Sequence, residues 1–358
     1  MNKTVNRQFL LATYPTGEFG KGTFTLHEGS IKKPRRGEFL LRNLFLSLDP
    51  AARLWTTPVD TYMDRVHIGD VMRGFTVSRV VESRHPKFKV GDLVQGLNGW
   101  QDYAISKGVN YNDKGLVDTW NLSNIVRAGM PITTALSVLG HTGLPAYVGL
   151  LNIAQIERGQ TVLVSGAAGA VGSIAGQIAK LMGCRTVGIA GGPKKCRTLR
   201  ESFGYDAVID YKKENLDRAL TRKCPEGIDI YFDNVGGETL DAALAHINIG
   251  ARIIICGAIS QYANFGQAPL AGPSNYLSLL TMRARMEGFI LSDYYIKERK
   301  KMESDMLRWI KQGKITYHHE IVKGLENAPK IINKLFQGKN KGKLIIQIAD
   351  DEEIANSL

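Results

Sequence analysis

The chain of 358 residues is poor in cysteine and lacks any apolar run long enough to cross a membrane. Its four cysteines (Cys184, Cys196, Cys224 and Cys256) form no C-x-x-C pair. This argues against a disulfide scaffold or a zinc cluster and fits a reducing compartment. The first residues, 1–11, lack an apolar core followed by small residues, so we expect no signal peptide. We therefore expect a cytoplasmic protein without a membrane partner.

Acidic residues are also too few to balance the basic ones, which leaves a formal net charge of +12. Such a charge fits nucleic acid, an acidic membrane surface or a polyanionic cofactor. Basic residues are spread along the chain, and the densest run is Lys297 to Lys301. We interpret them as solvated surface and expect no nucleic-acid partner. The length indicates two domains, and 44% hydrophobic with 22% charged residues is ordinary for a globular protein.

A glycine-rich turn between a strand and a helix is the strongest motif present. Residues Thr161–Ser165 are apolar and β-branched and predict a buried strand. Residues Gly166–Gly172 follow with the spacing G-x-x-G-x-x-G, then a helical pattern over Ser173–Met182 and a second strand over Cys184–Ala190. This βαβ order is typical of a dinucleotide site, in which glycines let backbone N–H groups approach a pyrophosphate at a helix N-terminus.

The end of the second strand indicates which dinucleotide is bound. NAD enzymes usually place Asp or Glu there to accept from the adenosine ribose. Residues 190–193 contain no acid here, and Lys194, Lys195 and Arg197 follow. Small glycines leave room for a 2′-phosphate and a lysine neutralises it, so we predict NADP(H). The alternative is that the lysines are solvated helix-start residues, although two cations oppose the dipole of that helix.

The chain organisation predicts two domains of different class. Residues up to about 130 contain short strands with turn signals and predict a small β-barrel. These segments are Glu38–Leu44, Gly69–Val81 and Val90–Val94. Beyond Pro131 the pattern changes, and helices are predicted over Thr133–Leu139 and Gly143–Asn152.

Four more strands alternate with helices and complete a doubly wound parallel α/β sheet of six strands. They are Ala207–Asp210, Ile228–Asp233, Arg252–Cys256 and Met286–Leu291. After a helix around Ser304–Gln312 come a short helix, Ala328–Phe336, and a strand, Lys343–Ile348, with no Rossmann partner left. We assign this tail to the first domain. The expected domains are then 1–132 with 317–358, and 133–316.

Several long motifs occur in a fixed order along nearly the whole chain. They are Leu48–Pro50, Gly69–Gly74, Ala167–Gly172, Tyr231–Gly237, Cys256–Tyr262 and Gly338–Lys343. With these motifs the chain resembles the medium-chain dehydrogenase/reductase superfamily. Within it, the chain is most similar to the zinc-independent, NADPH-dependent alkenal/one oxidoreductases. That group includes the leukotriene B4 dehydrogenase/prostaglandin reductases, plant double-bond reductases and bacterial curcumin reductases. The resemblance implies a Rossmann domain, a discontinuous GroES-like β-barrel domain and a homodimer.

The resemblance also implies positions around the cofactor. The pyrophosphate would lie at Gly166, Gly169, Ala170, Val171 and Gly172. The 2′-phosphate would meet Gly192, Lys195 and Tyr211, and the ribose would meet Asn234. The nicotinamide pocket would be lined by Cys256, Gly257, Ala258, Ile259, Ser260, Tyr262, Phe289, Ile290 and Leu291, with Asn340 reaching in from the tail.

Structural interpretations compete with some of these roles. Asn234 could cap the helix that begins near Gly237, a common role for Asn. Tyr211 could be a surface aromatic residue, and Phe289 and Leu291 could be core residues that offer only backbone contacts.

Two segments on the substrate side depart from the family pattern. The family continues Leu-Asp-Pro with Tyr-Met-Arg-Gly, whereas this chain has Ala51-Ala52-Arg53-Leu54. The family's glycine-rich run after Met-Arg-Gly is replaced by residues Phe75–Arg79. We therefore expect the cofactor site to follow the family and the substrate pocket to differ from it.

Zinc ligands are missing from the region where zinc alcohol dehydrogenases of this superfamily carry them. No cysteine precedes Cys184. The histidines of this region are isolated from thiolates and from one another: His27, His67, His85 and His141. His318 and His319 are adjacent, so on a strand their side chains point to opposite faces. We predict chemistry without a metal.

Reduction of a conjugated C=C bond suits such a site better than alcohol oxidation. Hydride would go from nicotinamide C4 to the β-carbon of an enone or enal, and the carbonyl oxygen would become an enolate that needs a neutral donor. A tyrosine, with a reference pKa of about 10, stays protonated at neutral pH. The resemblance places Tyr262 there, and Tyr62 is a second candidate on the loop before Gly69. The cofactor ribose hydroxyl could share the role, and Tyr262 could instead only pack on the substrate.

The leading hypothesis is thus an NADP-dependent oxidoreductase acting on CH–CH bonds of small-molecule enones and enals. Two alternatives stay open. A quinone reductase would share fold and cofactor. A nucleic-acid-binding protein that retains an NADPH site would belong to another class, and the net charge alone supports it.

Overall fold

A computed structural model describes residues 5–112, 115–267 and 269–355. In that part of the chain, no helix is long and apolar enough to span a membrane. The chain divides into two units. The first comprises Met1–Ser137, Ala263–Ala268 and His319–Leu358, and the second comprises Val138–Tyr262 and Pro269–His318. The short segment 263–268 thus joins the first unit, although no boundary was predicted there.

The first unit begins with short strands separated by turns. Its elements are β1 (Val5–Leu11), β2 (Phe24–Ser30), β3 (Phe39–Ser47), α1 (Ala52–Trp55), β4 (Thr76–Ser83), β5 (Leu93–Gly96), β6 (Tyr103–Ser106), β7 (Val109–Asn112), β8 (Gly115–Asp118), β9 (Trp120–Asn121), α2 (Ser123–Arg127) and a 3₁₀-helix (Ile132–Leu136). Strands β1 and β2 form an antiparallel pair, as do β7 and β8. Strand β3 pairs with both β4 and β6, so the sheet branches there.

The second unit alternates strands and helices. It contains α3 (Gly143–Tyr147), a π-helix (Val148–Ile153), β10 (Thr161–Val164), α4 (Ala170–Leu181), β11 (Arg185–Ala190), α5 (Pro193–Glu201), β12 (Ala207–Asp210), α6 (Leu216–Lys223), β13 (Ile228–Asp233), α7 (Gly237–Leu244), β14 (Ile247–Ile255), α8 (Leu277–Thr281), β15 (Arg285–Gly288) and α9 (Ser292–Lys311). The strand order is β12-β11-β10-β13-β14-β15, and all pairs are parallel. This is the order of a dinucleotide-binding sheet, and the predicted doubly wound fold is confirmed.

Burial explains why these segments form a parallel sheet. All four residues of β10 are buried, and Leu163, Val187, Tyr231 and Ile253 of successive strands share one core cluster. Helices cover both faces of such a sheet, so its strands are apolar on both faces instead of alternating. That is why short uninterrupted apolar runs located these strands, although β14 begins at Ile247 and not at the predicted Arg252, because its first residues include the exposed Ile249 and Gly250.

Two boundaries around the last strand of this sheet were predicted wrongly. Strand β15 ends at Gly288 and does not reach Leu291, and α9 begins at Ser292 instead of near Ser304. Charged residues are frequent in the first turns of α9, so the apolar residues at helical spacing were not recognised there. The structure shows that stripe as the buried Tyr295, Met302 and Met306. The helix predicted over Thr133–Leu139 is only the short 3₁₀-helix.

The tail returns to the sheet of the first unit. Its elements are β16 (His319–Lys323), a 3₁₀-helix (Leu325–Asn327), α10 (Ala328–Ile331), a second 3₁₀-helix (Ile332–Lys334), β17 (Lys343–Gln347) and α11 (Asp351–Ala355). Strand β17 pairs antiparallel with β3 and parallel with β16. The sheet therefore runs β16-β17-β3-β4-β5-β9.

Candidate active site

The glycine turn after β10 is shaped for a close approach of backbone to ligand. Gly166 has φ of +56°, and a Cβ on Gly172 would lie 2.5 Å from the Gly166 carbonyl oxygen. Only glycine lets α4 start this close to the strand. Gly169 is the N-cap of α4, and it supplies no capping side chain. The N–H groups of Ala170, Val171 and Gly172 lie in the first turn, where a helix has no backbone acceptors for them.

A buried tyrosine fixes the start of α4 against the sheet. The hydroxyl of Tyr205 donates to the carbonyl oxygen of Gly172 at 2.7 Å. Its ring fills the space next to Gly176 and Gly188, where added Cβ atoms would lie 2.0 and 2.9 Å from ring atoms. Burial raises the pKa of this hydroxyl. Sequence reasoning missed Tyr205, and glycines inside the helix and strand were the signal.

The loop after β11 combines open space with positive charge. Helix α5 has Gly192 as N-cap, with φ of +90° and nothing within 4 Å of where a Cβ would be. Its first turn contains no acidic residue. Lys194 is exposed and Lys195 is half-buried. The dipole of α5 and both lysines therefore favour an anion at this place.

An acid does lie near this loop, and sequence reasoning gave it no role. Asp210 ends β12, and its Oδ1 accepts from the N–H of Gly192 at 2.8 Å and of Lys212 at 3.2 Å. The carboxylate thus holds two loop backbones together. Tyr211 is half exposed, and its ring lies against Gly191, where a Cβ would be 2.8 Å from Cε1. Tyr211 and Gly192 therefore belong to one loop cluster.

Asn234 does not cap α7, so the capping alternative is wrong. The N-cap of α7 is Gly236, and no side chain caps it. The Asn234 amide donates instead to the Ser165 carbonyl oxygen at 2.7 Å, and the Asn234 N–H donates to Ser165 Oγ at 2.8 Å. Ser165 Oγ donates in turn to Asp233 Oδ1 at 2.7 Å. These bonds place Asn234 beside the turn that begins at Gly166.

Asp233 is the centre of this network. It is fully buried, and it also accepts from the Tyr231 hydroxyl at 2.7 Å and from the N–H groups of Val235 and Gly236. A buried carboxylate needs such donors. The sequence motif contained Asp233, but its role was visible only from the contact with Ser165.

The loop after β14 folds back on the same network. The N–H groups of Cys256 and Gly257 donate to the Asp233 carbonyl oxygen at 2.9 and 3.0 Å. The hydroxyl of Tyr262 accepts from the N–H of Ala258 at 3.1 Å. A Cβ on Gly257 would lie 3.0 Å from that hydroxyl oxygen.

Further bonds tie the middle of this loop to the segment after β13. The Ile259 N–H donates to the Asn234 carbonyl oxygen at 3.2 Å, and Ser260 Oγ donates to that of Val235 at 2.6 Å. Burial raises the pKa of Cys256 to about 12, so its side chain is a neutral thiol. Residues 256–262 therefore form one hydrogen-bonded loop whose tyrosine oxygen has a defined position.

Residues Phe289–Leu291 follow β15 directly. The pairing of Ile255 with Gly288 brings them beside the start of the Cys256 loop. All three are half-buried, Phe289 packs edge-on against Tyr294 at 6.1 Å, and Leu291 is the N-cap of α9. Since they are not fully buried, the alternative of core residues does not describe them. The C-terminal ends of the strands thus carry every predicted cofactor residue of the second unit.

The first unit carries the remaining predicted residues, Tyr62 and Asn340. The Tyr62 hydroxyl accepts from Trp55 Nε1 at 2.9 Å, and burial raises its pKa. The Arg73 guanidinium lies 5.7 Å from the Trp55 ring centroid. The buried Asn340 donates to the Gly342 carbonyl oxygen at 2.8 Å.

The motifs at Leu48–Pro50 and Gly338–Lys343 meet inside the first unit. Buried Lys343 donates to Asp49 Oδ1 and to the Leu48 carbonyl oxygen. Two motifs separated by almost the whole chain are therefore joined by one buried ion pair, which no sequence spacing indicated.

A zinc site does not fit the residues present. Across residues 5–112, 115–267 and 269–355, no group of three or more His, Cys, Asp and Glu could hold a metal ion. Burial raises the pKa of both Cys184 and Cys224 to about 11, against the thiolate that zinc requires. His318 packs on Phe203, and His319 contacts Ser137 Oγ at 2.6 Å.

A parallel sheet with a glycine turn, a cationic helix start and a tyrosine loop at its carboxyl edge defines a dinucleotide-dependent oxidoreductase. Residues 7–113 match the family described as N-terminal domain of oxidoreductase, and residues 170–312 match the one described as zinc-binding dehydrogenase. NADPH-dependent curcumin reductase of Escherichia coli (strain K12) is 41% identical over 98% of this chain and 99% of its own. NADP(+)-dependent 2-alkenal reductase of Nicotiana tabacum is 38% identical, with 96% and 98% covered.

Solved structures agree with this relationship. CurA from Vibrio vulnificus in complex with NADPH is 42% identical, with a TM-score of 0.86 over 96% of this chain and 99% of that one. The chain belongs to the medium-chain dehydrogenase/reductase superfamily, in the alkenal/one oxidoreductase group that contains these reductases.

Proposed function

We propose that the protein catalyses the NADPH-dependent reduction of the conjugated C=C bond of α,β-unsaturated ketones and aldehydes. The observation that carries the proposal is the set of loops at the carboxyl edge of the β10–β15 sheet. The glycine turn follows β10, the acid-free start of α5 follows β11, and the Tyr262 loop follows β14. Relatives named for curcumin and 2-alkenal reduction match the chain over almost its entire length, which supports this proposal.

The cofactor residues divide the dinucleotide between them. The amides of Ala170–Gly172 hold the pyrophosphate, because no side chain competes for them at the start of α4. Lys195, with Gly192 and Tyr211, holds the 2′-phosphate. Asn234 and the loop 256–262, with Phe289–Leu291, hold the ribose and nicotinamide end. When bound, NADPH supplies the hydride that reaches the β-carbon of the substrate.

The hydroxyl of Tyr262 is the hydrogen-bond and proton donor to the carbonyl oxygen of the substrate. The Ala258 amide fixes the position of the phenol oxygen and, by donating to it, makes its O–H a stronger donor. Tyr62 is the second candidate. Its raised pKa keeps it protonated, and the Trp55 N–H fixes its oxygen in the same way. Either hydroxyl would stabilise negative charge as it develops on the carbonyl oxygen. Asn340 of the tail remains a predicted cofactor residue.

We further propose a homodimer that uses the edge of the parallel sheet. Strand β15 is the last in the strand order, so one side of it is left without a strand partner among the described residues. The preceding helix α8 exposes Leu277 and Leu280, at 57% and 75% of their surface. A second copy would cover both features. The four free thiols agree with a cytoplasmic location.

A substrate panel tests the function. We expect turnover of enones and enals with NADPH, little with NADH, and none with secondary alcohols and NADP⁺. A saturated ketone of the same carbon skeleton serves as the matched control, because it retains the carbonyl and lacks the C=C bond. With NADPH deuterated at C4, the product should carry deuterium at the β-carbon. Turnover of quinones alone would contradict the proposal in favour of a quinone reductase.

A further inference from the structure

Arg53 is a buried arginine that no acidic side chain among the described residues neutralises. It exposes 1% of its surface, and no carboxylate pairs with it in the part of the chain that the structure describes. Burying a guanidinium without a carboxylate costs free energy of desolvation. Among the described residues, only the hydrogen bonds of Arg53 offset this cost. Its partners therefore indicate what it does.

Every acceptor of Arg53 is a backbone carbonyl oxygen. Nε donates to Gly17 at 3.0 Å, and Nη2 donates to Pro15 and Ala263, both at 2.8 Å. The planar fork of arginine carries its donors on separate nitrogens, so it can reach acceptors that lie further apart than the single nitrogen of lysine can. One side chain thereby fixes the 15–17 loop and the 263 segment to each other.

The segment that begins at Ala263 has two further attachments to the first unit. Gln267 Nε2 donates to the Pro15 carbonyl oxygen at 2.9 Å, so Pro15 accepts from both side chains. A Cβ on Gly266 would lie 2.7 Å from Val59 Cγ2, which shows how closely the segment packs there. These contacts explain why 263–268 belongs to the first unit while the residues on both sides belong to the second.

The turn that carries Arg53 is itself anchored. The Ala52 N–H donates to the Asp49 carbonyl oxygen and the Arg53 N–H to that of Pro50, both at 3.0 Å. Asp49 is held by Lys343. The guanidinium thus extends from a fixed backbone. It binds the carbonyl oxygen of Ala263, the residue that follows Tyr262 in the chain.

We propose that Arg53 is a positioning residue for the reduction. By holding the Ala263 carbonyl oxygen, it fixes the C-terminal end of the 256–262 loop and with it the Tyr262 hydroxyl. The N-terminal end of that loop is fixed separately, at the Asp233 carbonyl oxygen. The proposal rests on the proposed function in so far as Tyr262 serves the reaction.

The first experiment measures the loop itself and does not depend on catalysis. Hydrogen exchange of the amides in 257–267 is compared between wild type, Arg53→Lys and Arg42→Lys. Arg42 is a half-buried arginine of the same unit that binds Asp102 and Glu353, so it controls for the loss of any guanidinium. We expect about tenfold faster exchange in Arg53→Lys only, because bonds to a charged donor are lost.

A second variant keeps the test decisive if Arg53→Lys does not fold. Gln267→Ala removes the neutral bond to Pro15 from an exposed side chain, and exchange in the same amides should rise by a smaller factor, about fivefold. Unchanged exchange in the variants that fold would overturn the proposal, whatever the activity of the protein.

The second experiment connects the loop to turnover. Arg53→Lys should lower kcat for an enone about tenfold with NADPH affinity unchanged, whereas Arg42→Lys should lower neither. In a Tyr262→Phe background, Arg53→Lys should lower kcat less than threefold, because the effects of two residues that act together do not add. Full additivity would overturn the role through Tyr262. A wild-type protein inactive on enones would refute the proposed function, and the exchange result would still decide whether Arg53 fixes the loop.

Discussion

Replacing Lys195 by alanine separates recognition of the 2′-phosphate from general binding of the dinucleotide. Lys195 lies in the first turn of α5, half-buried, next to the open space at Gly192. A hydrogen bond between an ammonium group and a phosphate is worth about 1.5–3 kcal/mol. Because this lysine is only half-buried, solvent screens it, and we expect the lower end of that range.

The affinity for NADPH should therefore fall about tenfold in Lys195→Ala, since about 1.4 kcal/mol corresponds to a factor of ten. The affinity for NADH should stay within about twofold, because NADH has no group at that position. Lys194→Ala is the matched control. Lys194 occupies the same helix turn but is exposed, so its bond to any anion is worth less than about 1 kcal/mol.

Calorimetric titration of both cofactors into the wild type and the two variants measures these differences. The loss in Lys195→Ala should shrink as salt concentration rises, since screening weakens the wild-type interaction as well. Equal weakening of NADPH and NADH would refute the reasoning, because the lysine would then not be reading the 2′-phosphate. An equal effect of Lys194→Ala would show that the field of the helix start matters and not one placed side chain.

Three further outcomes are expected. Tyr262→Phe should lower kcat for the enone and leave KM nearly unchanged. The loss should be less than about 10²-fold, because Tyr62 or the ribose hydroxyl can share the role of donor. A raised KM at normal kcat would instead make Tyr262 a residue that only packs on the substrate. Purified protein should contain no stoichiometric zinc, and a chelator should leave turnover unchanged; one tightly held zinc per chain, lost together with activity, would overturn the metal-free proposal. Tyr205→Phe removes a buried hydrogen bond to Gly172 and should lower the free energy of unfolding by about 1 kcal/mol, measured by urea denaturation; an unchanged value would mean that this bond does not support α4.

Local sequence patterns determined the strands and the position of the cofactor loops. Parallel strands all point the same way, so residues that follow β10 to β15 must meet at one edge of the sheet. Gly169 and Lys195 were placed at that edge by their positions after predicted strands, whereas the resemblance to the family placed Asn234 and Tyr262 there. The ends of β15 and α9 could not be predicted, because the charged residues at the start of α9 concealed its buried stripe.

Only the tertiary structure decided which polar groups hold these loops. Asp233 and Ser165 are 68 residues apart, and Arg53 lies 210 residues from Ala263. Hydrogen bonds between such distant residues produce no periodic pattern in the sequence. The residue type Asp or Arg also does not reveal whether the side chain is solvated or buried. The sequence by itself therefore determined a dinucleotide-dependent reductase with its glycine turn and cationic helix start. Only the tertiary structure decided that Asp210 binds loop amides and that Asn234 binds Ser165 and not a helix end. It also decided that Arg53 binds Ala263, the residue after Tyr262.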